Sequence, residues 1–282
     1  MRESFKKIFL SIYEFYMKIY LPLYARPIFQ QINLLKYQTA LRSLGYNNCC
    51  DPGKTGELNF IGLFAKTKPT FCLDIGANIG KYSKLLLENT ESKILAFEPL
   101  PGAYALLEKL KTEYPGRLSA ENMGVGDTTK KMILNYGSDT SELSSFSTDI
   151  NAISYVGKSN IHQIEVEVVT LDDYFSKAQY QNMGEIDLIK IDTEGFEYEV
   201  LQGAAKTISI LSPKFIQIEL NSHQLHRGHS LFEFSKILNN YEVFQLLPFG
   251  KGGIKRDPAS SEANVFAYSN FIFVRRDLQF NF

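Results

Sequence analysis

From Phe71 onward, short apolar runs alternate with longer amphipathic segments. Apolar runs that alternate with helical segments are typical of strands buried on both faces of a mostly parallel sheet. The pattern therefore predicts a doubly wound, Rossmann-like α/β fold with a seven-stranded sheet. The predicted strands are Phe71–Ile75, Ile94–Phe97, Leu118–Val125, Ile186–Ile191, Phe215–Leu220, Glu242–Leu246 and Phe271–Val274. The predicted helices are Lys81–Glu88, Ala103–Tyr114, Glu197–Ile208 and Leu231–Asn239. No helix separates the last two strands, so an antiparallel strand is expected at that end.

One region departs from the alternation. Lys131–Tyr136 and Glu165–Thr170 have the composition of strands, and a segment rich in serine and asparagine separates them. This pattern predicts a hairpin or loop, inserted at about residues 130–170, over the mouth of the sheet. The sequence thus divides into a helical N-terminal extension, residues 1–56, and one α/β domain, residues 57–282.

The first twenty residues are basic and rich in aromatic and apolar side chains. Glu14 and Lys18 interrupt the apolar run, which argues against both a secretory signal and a bilayer span. We expect an amphipathic helix that packs on the domain or on a second subunit. The alternative is peripheral contact with an anionic membrane surface.

Proline and glycine divide the rest of the extension. Pro22 and Pro27 are expected to break the first helix. A second helix is predicted over Ile28–Leu44, with Gly45 as its stop. The composition of residues 51–56 predicts a loop.

The overall charge of the chain bears on its possible partners. The formal net charge is −1, and the main body of the chain contains no lysine- or arginine-rich run. Both features argue against a nucleic-acid partner. The three cysteines, Cys49, Cys50 and Cys72, show no spacing suited to a metal site, and two of them are adjacent. Reduced thiols in a cytoplasmic protein, with or without peripheral contact with the inner face of the membrane, are the simpler interpretation.

The first predicted strand ends in the loop Asp74-Ile-Gly-Ala-Asn-Ile-Gly80. In a doubly wound sheet, ligands bind beyond the carboxyl ends of the strands. Gly76 and Gly80 would let the backbone approach a ligand closely, and Asn78 lies between them. Asp74 could accept hydrogen bonds from an ammonium group, such as that of S-adenosylmethionine, whereas it would repel a pyrophosphate. The loop therefore favours S-adenosylmethionine over a dinucleotide, whose sites use Gly-x-Gly-x-x-Gly.

The next two strands also end in acidic residues. Glu98 follows the apolar run of the second strand, where the ribose diol of the cofactor would lie. Gly126 and Asp127 close the third strand, where they could frame an adenine ring and accept from its amino group. A plain surface turn would also explain the Gly-Asp pair.

The fourth strand delivers Lys190, Asp192 and Glu194 within five positions. Charges at the end of a buried strand are costly unless they are paired, exposed in a cleft or bound to a ligand. They are therefore candidate catalytic and substrate-binding residues. A capping role for Asp192 or Thr193 at the following helix would also account for part of the pattern.

The fifth strand ends with Glu219 and Asn221, and His223, His226 and His229 follow. A histidine or carboxylate here could serve as a general base. Asp192, Glu219 and Asn221 would also form an all-oxygen set for Mg²⁺, as a second version of the chemistry.

These motifs, in this order, resemble the FkbM family of methyltransferases. The similar segments are Phe71 to Tyr82, Ala96 to Pro99, Val125 to Asp127, Val166 to Asp173 and Asp187 to Gly195. Ser144 and Ser145 also look like the serine pair of the family. The similarity spans about residues 70–275 and leaves the first seventy residues outside it.

The resemblance implies a class I methyltransferase sheet and an S-adenosylmethionine cofactor. Its implied cofactor contacts are Asp74, Gly76, Asn78, Glu98 and Asp127. Asp192 and Glu194 would lie near the reactive methyl group, and Ser144 and Ser145 near the acceptor. The family is linked to O-methylation of macrolides and of sugars in polysaccharides, so a small-molecule or glycan acceptor is expected.

Methyl transfer is an in-line displacement that also requires removal of the acceptor proton. Asp192, Glu219 and His223 are the candidate bases, and Lys190 could orient a carboxylate or hydroxyl. Two other functions stay open: an NAD-dependent oxidoreductase, which the glycine spacing disfavours, and a non-catalytic membrane-surface scaffold on the same fold.

Overall fold

The computed structural model describes residues 2–48, 51–176 and 184–282. The chain forms two compact units, of which the first ends at Leu44 and the second covers Gly45–Phe282. The second unit begins earlier in the chain than the boundary at residue 57 that the sequence predicts. Cys49 and Cys50 lie outside the described residues, and Cys72 is a free, buried cysteine.

The first unit contains two helices joined by a short 3₁₀ helix. Helix α1 covers Arg2–Tyr24, the 3₁₀ helix Pro27–Phe29, and α2 Gln30–Ser43. The predicted break at Pro22 is wrong, because α1 continues to Tyr24. Pro22 lies in the last turn of the helix, where its missing N–H costs only one backbone hydrogen bond.

Side-chain contacts join the two helices of this unit. The Tyr20 hydroxyl donates to Asn33 Oδ1 at 2.6 Å, and Asn33 Nδ2 donates to the Tyr24 carbonyl at 2.9 Å.

Among the described residues, no helix combines the length and the apolar composition that crossing a membrane would require. Peripheral membrane contact and self-association through this unit stay predictions.

The second unit is built on an eight-stranded mixed sheet. Its strands are β1 Phe71–Ile75, β2 Lys93–Phe97, β3 Leu118–Glu121, β7 Leu188–Ile191, β8 Phe215–Leu220, β9 Tyr241–Leu246, β10 Gly253–Arg256 and β11 Ser269–Arg275. Their order is β10-β9-β11-β8-β7-β1-β2-β3. Strands β3, β2, β1, β7 and β8 are parallel, and β11 runs antiparallel between β8 and β9. The α/β fold is confirmed, with one strand more than the seven predicted. The additional strand, β10, is a short edge strand with little burial, so its sequence lacks the apolar run that marks the others.

A second, three-stranded sheet contains the predicted hairpin. Strand β5, Lys130–Tyr136, pairs antiparallel with β6, His162–Val169. Strand β4, Gly124–Val125, pairs parallel with β6. The prediction of one strand over Leu118–Val125 is therefore wrong, since its two ends belong to different sheets. Asn122 marks the division, where its side-chain amide donates to the Glu98 carbonyl at 2.9 Å.

Ten helices of the second unit are described. They are α3 Pro52–Thr55, α4 Glu57–Ala65, α5 Lys81–Asn89, α6 Pro101–Glu113, α7 Ser154–Ser159, α8 Leu171–Phe175, α9 Glu197–Gln202, α10 Ala205–Leu211, α11 His223–Arg227 and α12 Leu231–Ile237. Short 3₁₀ helices cover Asp149–Ala152, Pro248–Gly250 and Ser261–Ala263.

Two helical regions differ from the predictions. Residues 51–56 contain a one-turn helix, because Asp51 caps it by accepting from the Gly53 N–H at 2.9 Å. The single helix predicted over Glu197–Ile208 is interrupted at Gly203. A Cβ on Gly203 would lie 1.9 Å from the Gly126 carbonyl oxygen, so this close approach requires glycine.

Helix α4 was not predicted from the sequence. It packs against one face of the large sheet. Phe60 and Phe64 are fully buried, and the Phe64 ring meets Phe215 of β8 edge-on at 5.5 Å. This packing brings the start of α4 beneath the carboxyl ends of the central strands, where the candidate site lies.

Candidate active site

The parallel strands bring their acidic ends to one edge of the sheet. Asp74 on β1 is in register with Lys190 on β7, and Ile191 on β7 is in register with Ile218 on β8. The residues that follow these pairs therefore meet at the carboxyl edge, as the sequence predicts. They line a cavity of about 980 Å³.

Glycine is required where the first strand turns. Gly76 has a φ of +79°, and a Cβ there would lie 1.8 Å from the Asp192 carbonyl oxygen. Gly76 lines the cavity. Gly80, with a φ of +83°, instead faces Leu110 of α6, 2.7 Å from the position of its Cβ. The two glycines thus have different roles: Gly76 borders the cavity, and Gly80 allows helix packing.

Asp74 lies at the floor of the cavity and is almost completely buried. It accepts a hydrogen bond from the Ser83 hydroxyl at 2.6 Å. Burial raises the pKa of Asp74 to about 6, although the Ser83 hydrogen bond and the charge of Lys190 oppose the rise. The carboxylate is therefore ionised at neutral pH and available to a cationic group.

Glu98 is held by the backbone of the glycine loop. Its two oxygens accept from the Asn78 and Leu100 N–H groups, both at 2.7 Å. Burial raises the pKa of Glu98 to about 7, and these two N–H donors oppose the rise. Asn78 has a φ of +49°, and its side chain donates to the Ser141 carbonyl at 3.1 Å. Both residues line a narrow cleft beside the large cavity, bounded also by Val125.

Gly126 and Asp127 lie apart from this cleft. Neither is among the residues that line the large cavity or the narrow cleft. Gly126 is buried, and a Cβ there would lie 2.8 Å from the Phe196 ring. Asp127 is exposed at the start of the following turn. Gly124 and Val125, just before them, line the cleft instead.

Lys190 and Asp192 form an ion pair at the centre of the site. Lys190 Nζ donates to Asp192 Oδ2 at 3.0 Å, and the lysine is buried whereas a third of the Asp192 side chain is exposed. Burial acts to lower the pKa of Lys190, but the carboxylates of Asp192, Glu219 and Glu57 hold it above its ordinary value. Lys190 therefore stays protonated and acts as a fixed positive charge.

The loop after β7 is organised by Glu197. Its Oε1 accepts from the Thr193 N–H at 2.9 Å and from the Gly195 N–H at 3.1 Å. Glu194 between them has a φ of +52°, an uncommon conformation for a residue with a side chain. The alternative capping role of Asp192 or Thr193 is not observed, because α9 begins after Phe196 without a side-chain cap. Glu194 is thus directed by the loop, and its side chain lines the cavity.

Glu219 follows the register of β8 and lies opposite Asp192. One oxygen each from Asp192, Glu194 and Glu219 lie within 4.8 Å of one another. Burial raises the pKa of Glu219 well above its ordinary value, and the charge of Asp192 raises it further while Lys190 opposes. Burial raises the pKa of the nearby Tyr268 hydroxyl far above its ordinary value, and the charge of Glu219 raises it further.

Asn221 and the three histidines that follow it lie in different surroundings. Asn221 Oδ1 accepts from the His223 N–H at 2.7 Å, so this oxygen shapes the start of α11. His223 is buried and lines the cavity. His226 is exposed, and His229 stacks on Tyr198 with ring centroids 4.0 Å apart. Of the three, only His223 is therefore among the residues that line the cavity.

The serine pair lies between the two strands of the hairpin. Ser145 is buried, pairs with the Asn135 backbone, and donates its hydroxyl to the Glu194 carbonyl at 2.7 Å. Ser144 donates to the Ser141 carbonyl at 3.3 Å and lines the narrow cleft. Ser145 thus supports the Glu194 loop, and Ser144 faces the open space.

A buried polar network beneath the cavity was missed by sequence reasoning. Tyr82 donates to Gln217 Oε1 at 2.6 Å, and Gln217 Nε2 donates to Glu57 Oε1 at 2.8 Å. Tyr82 and Glu57 line the cavity. Gln217 is a polar residue within the apolar run of β8, which was a usable signal. Glu57 carried none, because α4 was not predicted.

Comparison with known proteins assigns the family. Residues 74–242, more than half of the chain, match the model of the methyltransferase FkbM domain. Methyltransferase 1 of Beauveria bassiana is 25% identical over 146 residues, 48% of this chain and 58% of that protein. Hexuronic acid methyltransferase AglP of Haloferax volcanii is 28% identical over 174 residues, 60% of this chain and 62% of that protein.

A third relative aligns over a longer segment. 2-O-methyltransferase NoeI of Sinorhizobium fredii is 24% identical over 204 residues, 68% of this chain and 80% of that protein. The chain spans less than two thirds of the length of the Beauveria and Haloferax proteins. The matched residues include the glycine loop, the hairpin and the carboxylate-rich ends of β7 and β8. The chain belongs to the FkbM methyltransferase domain family.

Proposed function

We propose that the protein transfers a methyl group from S-adenosylmethionine to a hydroxyl group of a sugar, glycan or hydroxylated natural product. One observation carries the proposal. A single cavity joins the glycine loop and Asp74 on one side to the carboxylates of Asp192 and Glu219 on the other. Cofactor and acceptor would therefore meet between these two groups.

The residues around the glycine loop fit this cofactor. The volume of the cavity, about 980 Å³, is at the upper end of the range for small-molecule sites. The ionised Asp74 suits the ammonium of the methionyl arm, and Glu98, at the end of the neighbouring strand, suits a ribose diol. When bound, the cofactor supplies an electrophilic methyl group on a sulfonium. The concentration of carboxylates at this edge would repel the pyrophosphate of a dinucleotide.

The acidic residues at the ends of β7 and β8 suit the acceptor. A hydroxyl group must lose its proton as it attacks, and a nearby carboxylate of raised pKa is an effective acceptor for that proton. Glu219 is a candidate base, because it lines the cavity close to Asp192, and burial and the charge of Asp192 raise its pKa. Lys190 stays charged and would hold Asp192 and the acceptor oxygen in position. His223 borders the same space and is a second candidate base.

The names of two relatives support a sugar acceptor. One is called a hexuronic acid methyltransferase and another a 2-O-methyltransferase. The cavity also carries aromatic side chains that could stack on a sugar ring, namely Tyr155, Phe266 and Tyr268. A sugar hydroxyl is therefore the first acceptor to test.

The test is transfer of a labelled methyl group from S-adenosylmethionine to a panel of acceptors. The panel contains oligosaccharides that end in a uronic acid, oligosaccharides that end in a neutral sugar, and a hydroxylated macrolide. Nuclear magnetic resonance of the product would identify an O-methyl ether. Calorimetry should detect binding of S-adenosylmethionine and none of NAD. The proposal is refuted if the folded protein binds NAD and not S-adenosylmethionine, or if methyl groups reach only nitrogen or carbon.

A matched pair of variants locates the cofactor site. Asp74→Asn removes the charge facing the cavity and should weaken cofactor binding about 10-fold or more, since hydrogen bonds to charged groups contribute about 1.5–3 kcal/mol. Asp257→Asn, at an exposed aspartate whose side chain accepts from the Ala259 N–H, should leave the affinity unchanged.

A further inference from the structure

Three carboxylates converge where β7 and β8 end. One oxygen each from Asp192, Glu194 and Glu219 lie within 4.8 Å of one another, and all three side chains line the large cavity. Continuation of the β7–β8 register places Asp192 opposite Glu219. The left-handed conformation of Glu194 turns its side chain toward the other two. The backbone therefore builds this group of oxygens from two strands and a strained loop.

The charge of this group is not balanced by its nearest cation. Lys190 donates to Asp192 at 3.0 Å. One ammonium beside three carboxylates leaves an excess of negative charge in a partly buried place, which favours uptake of protons or of a further cation.

A buried imidazole faces the same group. Only 1% of His223 is exposed, and its Nδ1 lies 3.0 Å from Glu194 Oε2. The alignment of these two atoms falls short of a hydrogen bond, and His223 Nε2 also has no partner. Buried polar atoms of this kind are uncommon, because the cost of removing them from water is not offset. They indicate that a ligand completes the site.

The spacing of these atoms suits a metal ion. Neighbouring ligands on an octahedral ion lie about 3 Å apart when each bond is about 2.1–2.2 Å long. The Nδ1–Oε2 distance has this value, and one oxygen from each of the three carboxylates lies within 4.8 Å of the others. Carboxylates combined with imidazole suit first-row transition ions such as Mn²⁺.

We propose that Asp192, Glu194, Glu219 and His223 form a binding site for a divalent transition-metal ion. The set differs from the Mg²⁺ set that the sequence suggests. The Asn221 oxygen accepts from the His223 N–H, and Glu194 takes its place beside the other carboxylates. If the proposed function holds, the ion would bind the acceptor hydroxyl and lower its pKa, which eases removal of the proton.

The test measures binding of Mn²⁺ alone, without cofactor or acceptor, to the full chain after treatment with chelator. Calorimetry should give one saturable site per chain. Pulsed electron paramagnetic resonance should show coupling of the bound ion to an imidazole nitrogen. Glu219→Gln should weaken the affinity at least about 10-fold, and His223→Asn should remove the nitrogen coupling. Glu165→Gln, on the exposed face of β6, should change neither measurement.

Each outcome decides the proposal. Absence of saturable binding by the folded protein would overturn it, as would binding that is unchanged in both site variants. Should Glu219→Gln not fold, the nitrogen coupling in the wild type and its loss in His223→Asn decide. Binding of S-adenosylmethionine is measured separately. A chain that binds the cofactor but no Mn²⁺ refutes the ion site alone, and a chain with the opposite behaviour refutes the proposed function alone.

Discussion

The close approach of β1 to the end of β7 depends on the missing side chain of Gly76. In Gly76→Ala, the added methyl group would lie 1.8 Å from the Asp192 carbonyl oxygen and 2.8 Å from its carbon. Both atoms belong to the backbone, so no side-chain rotation can relieve the contact. The end of β7 would have to move away, and with it Asp192 and the Glu194 loop.

The expected magnitude has two parts. A left-handed φ of +79° costs an alanine about 1–2 kcal/mol relative to glycine. Displacement of packed backbone adds about 1–3 kcal/mol, as for other overpacking substitutions. Gly116→Ala separates the parts, because Gly116 has a φ of +74° and no atom within 4 Å of its Cβ position. The difference between the variants should therefore be about 1–3 kcal/mol.

Urea unfolding followed by circular dichroism would measure this difference, and calorimetry would report cofactor affinity. We expect Gly76→Ala to be the less stable variant and to bind S-adenosylmethionine more weakly, with Gly116→Ala unchanged in affinity. Equal losses of stability in the two variants, to within about 0.5 kcal/mol, would show that the contact between Gly76 and Asp192 is absent. That result would contradict the close approach of β1 to the end of β7.

Three further predictions concern charges and hydrogen bonds in the site. Cofactor affinity should fall as the pH is lowered through about 6, because protonation of Asp74 removes the charge that faces the ammonium, and Asp74→Asn should flatten this dependence in calorimetric titrations. Lys190→Met should shift the acidic limb of the pH–rate profile to higher pH, because Lys190 opposes the rise in the pKa of Glu219. Lys214→Met is the control, since it also removes a lysine paired with an aspartate, and it should leave the profile in place. Ser145→Ala should destabilise the protein by about 1–3 kcal/mol in urea unfolding, since it leaves the Glu194 carbonyl without its donor, and Ser144→Ala should cost less; the opposite ranking would contradict the assignment.

The local pattern of apolar and polar residues was sufficient to predict most strands of the large sheet. Strands β1 and β8 have the predicted bounds, and the other predicted strands of this sheet, apart from β3, differ by three residues or fewer at either end. Most positions of these strands are buried, so their sequences are largely apolar, and such runs are visible in one sequence. The strand ends were visible for the same reason. A charged residue that follows a buried run, such as Asp74 or Glu219, marks the place where the strand leaves the core.

Features set by long-range contacts could not be predicted in this way. The division of residues 118–125 between two sheets depends on pairing with β6, more than forty positions away. The interruption of α9 and α10 depends on the approach of Gly203 to Gly126. Edge strand β10 and the loop helix α3 are too short and too polar to produce a periodic signal.

The candidate site shows the same division. The sequence by itself determined which carboxylates stand at the ends of strands, because burial of a strand forces its charged residues to the ends. Only the tertiary structure decided which of them share a space. It brought Glu57 and Gln217 beneath the cavity, turned Glu194 toward Glu219, and left Asp127 at the surface. The physical reason is that strand order, loop conformation and helix packing follow from contacts between residues far apart in the chain, and no local pattern of apolar and polar positions records those contacts.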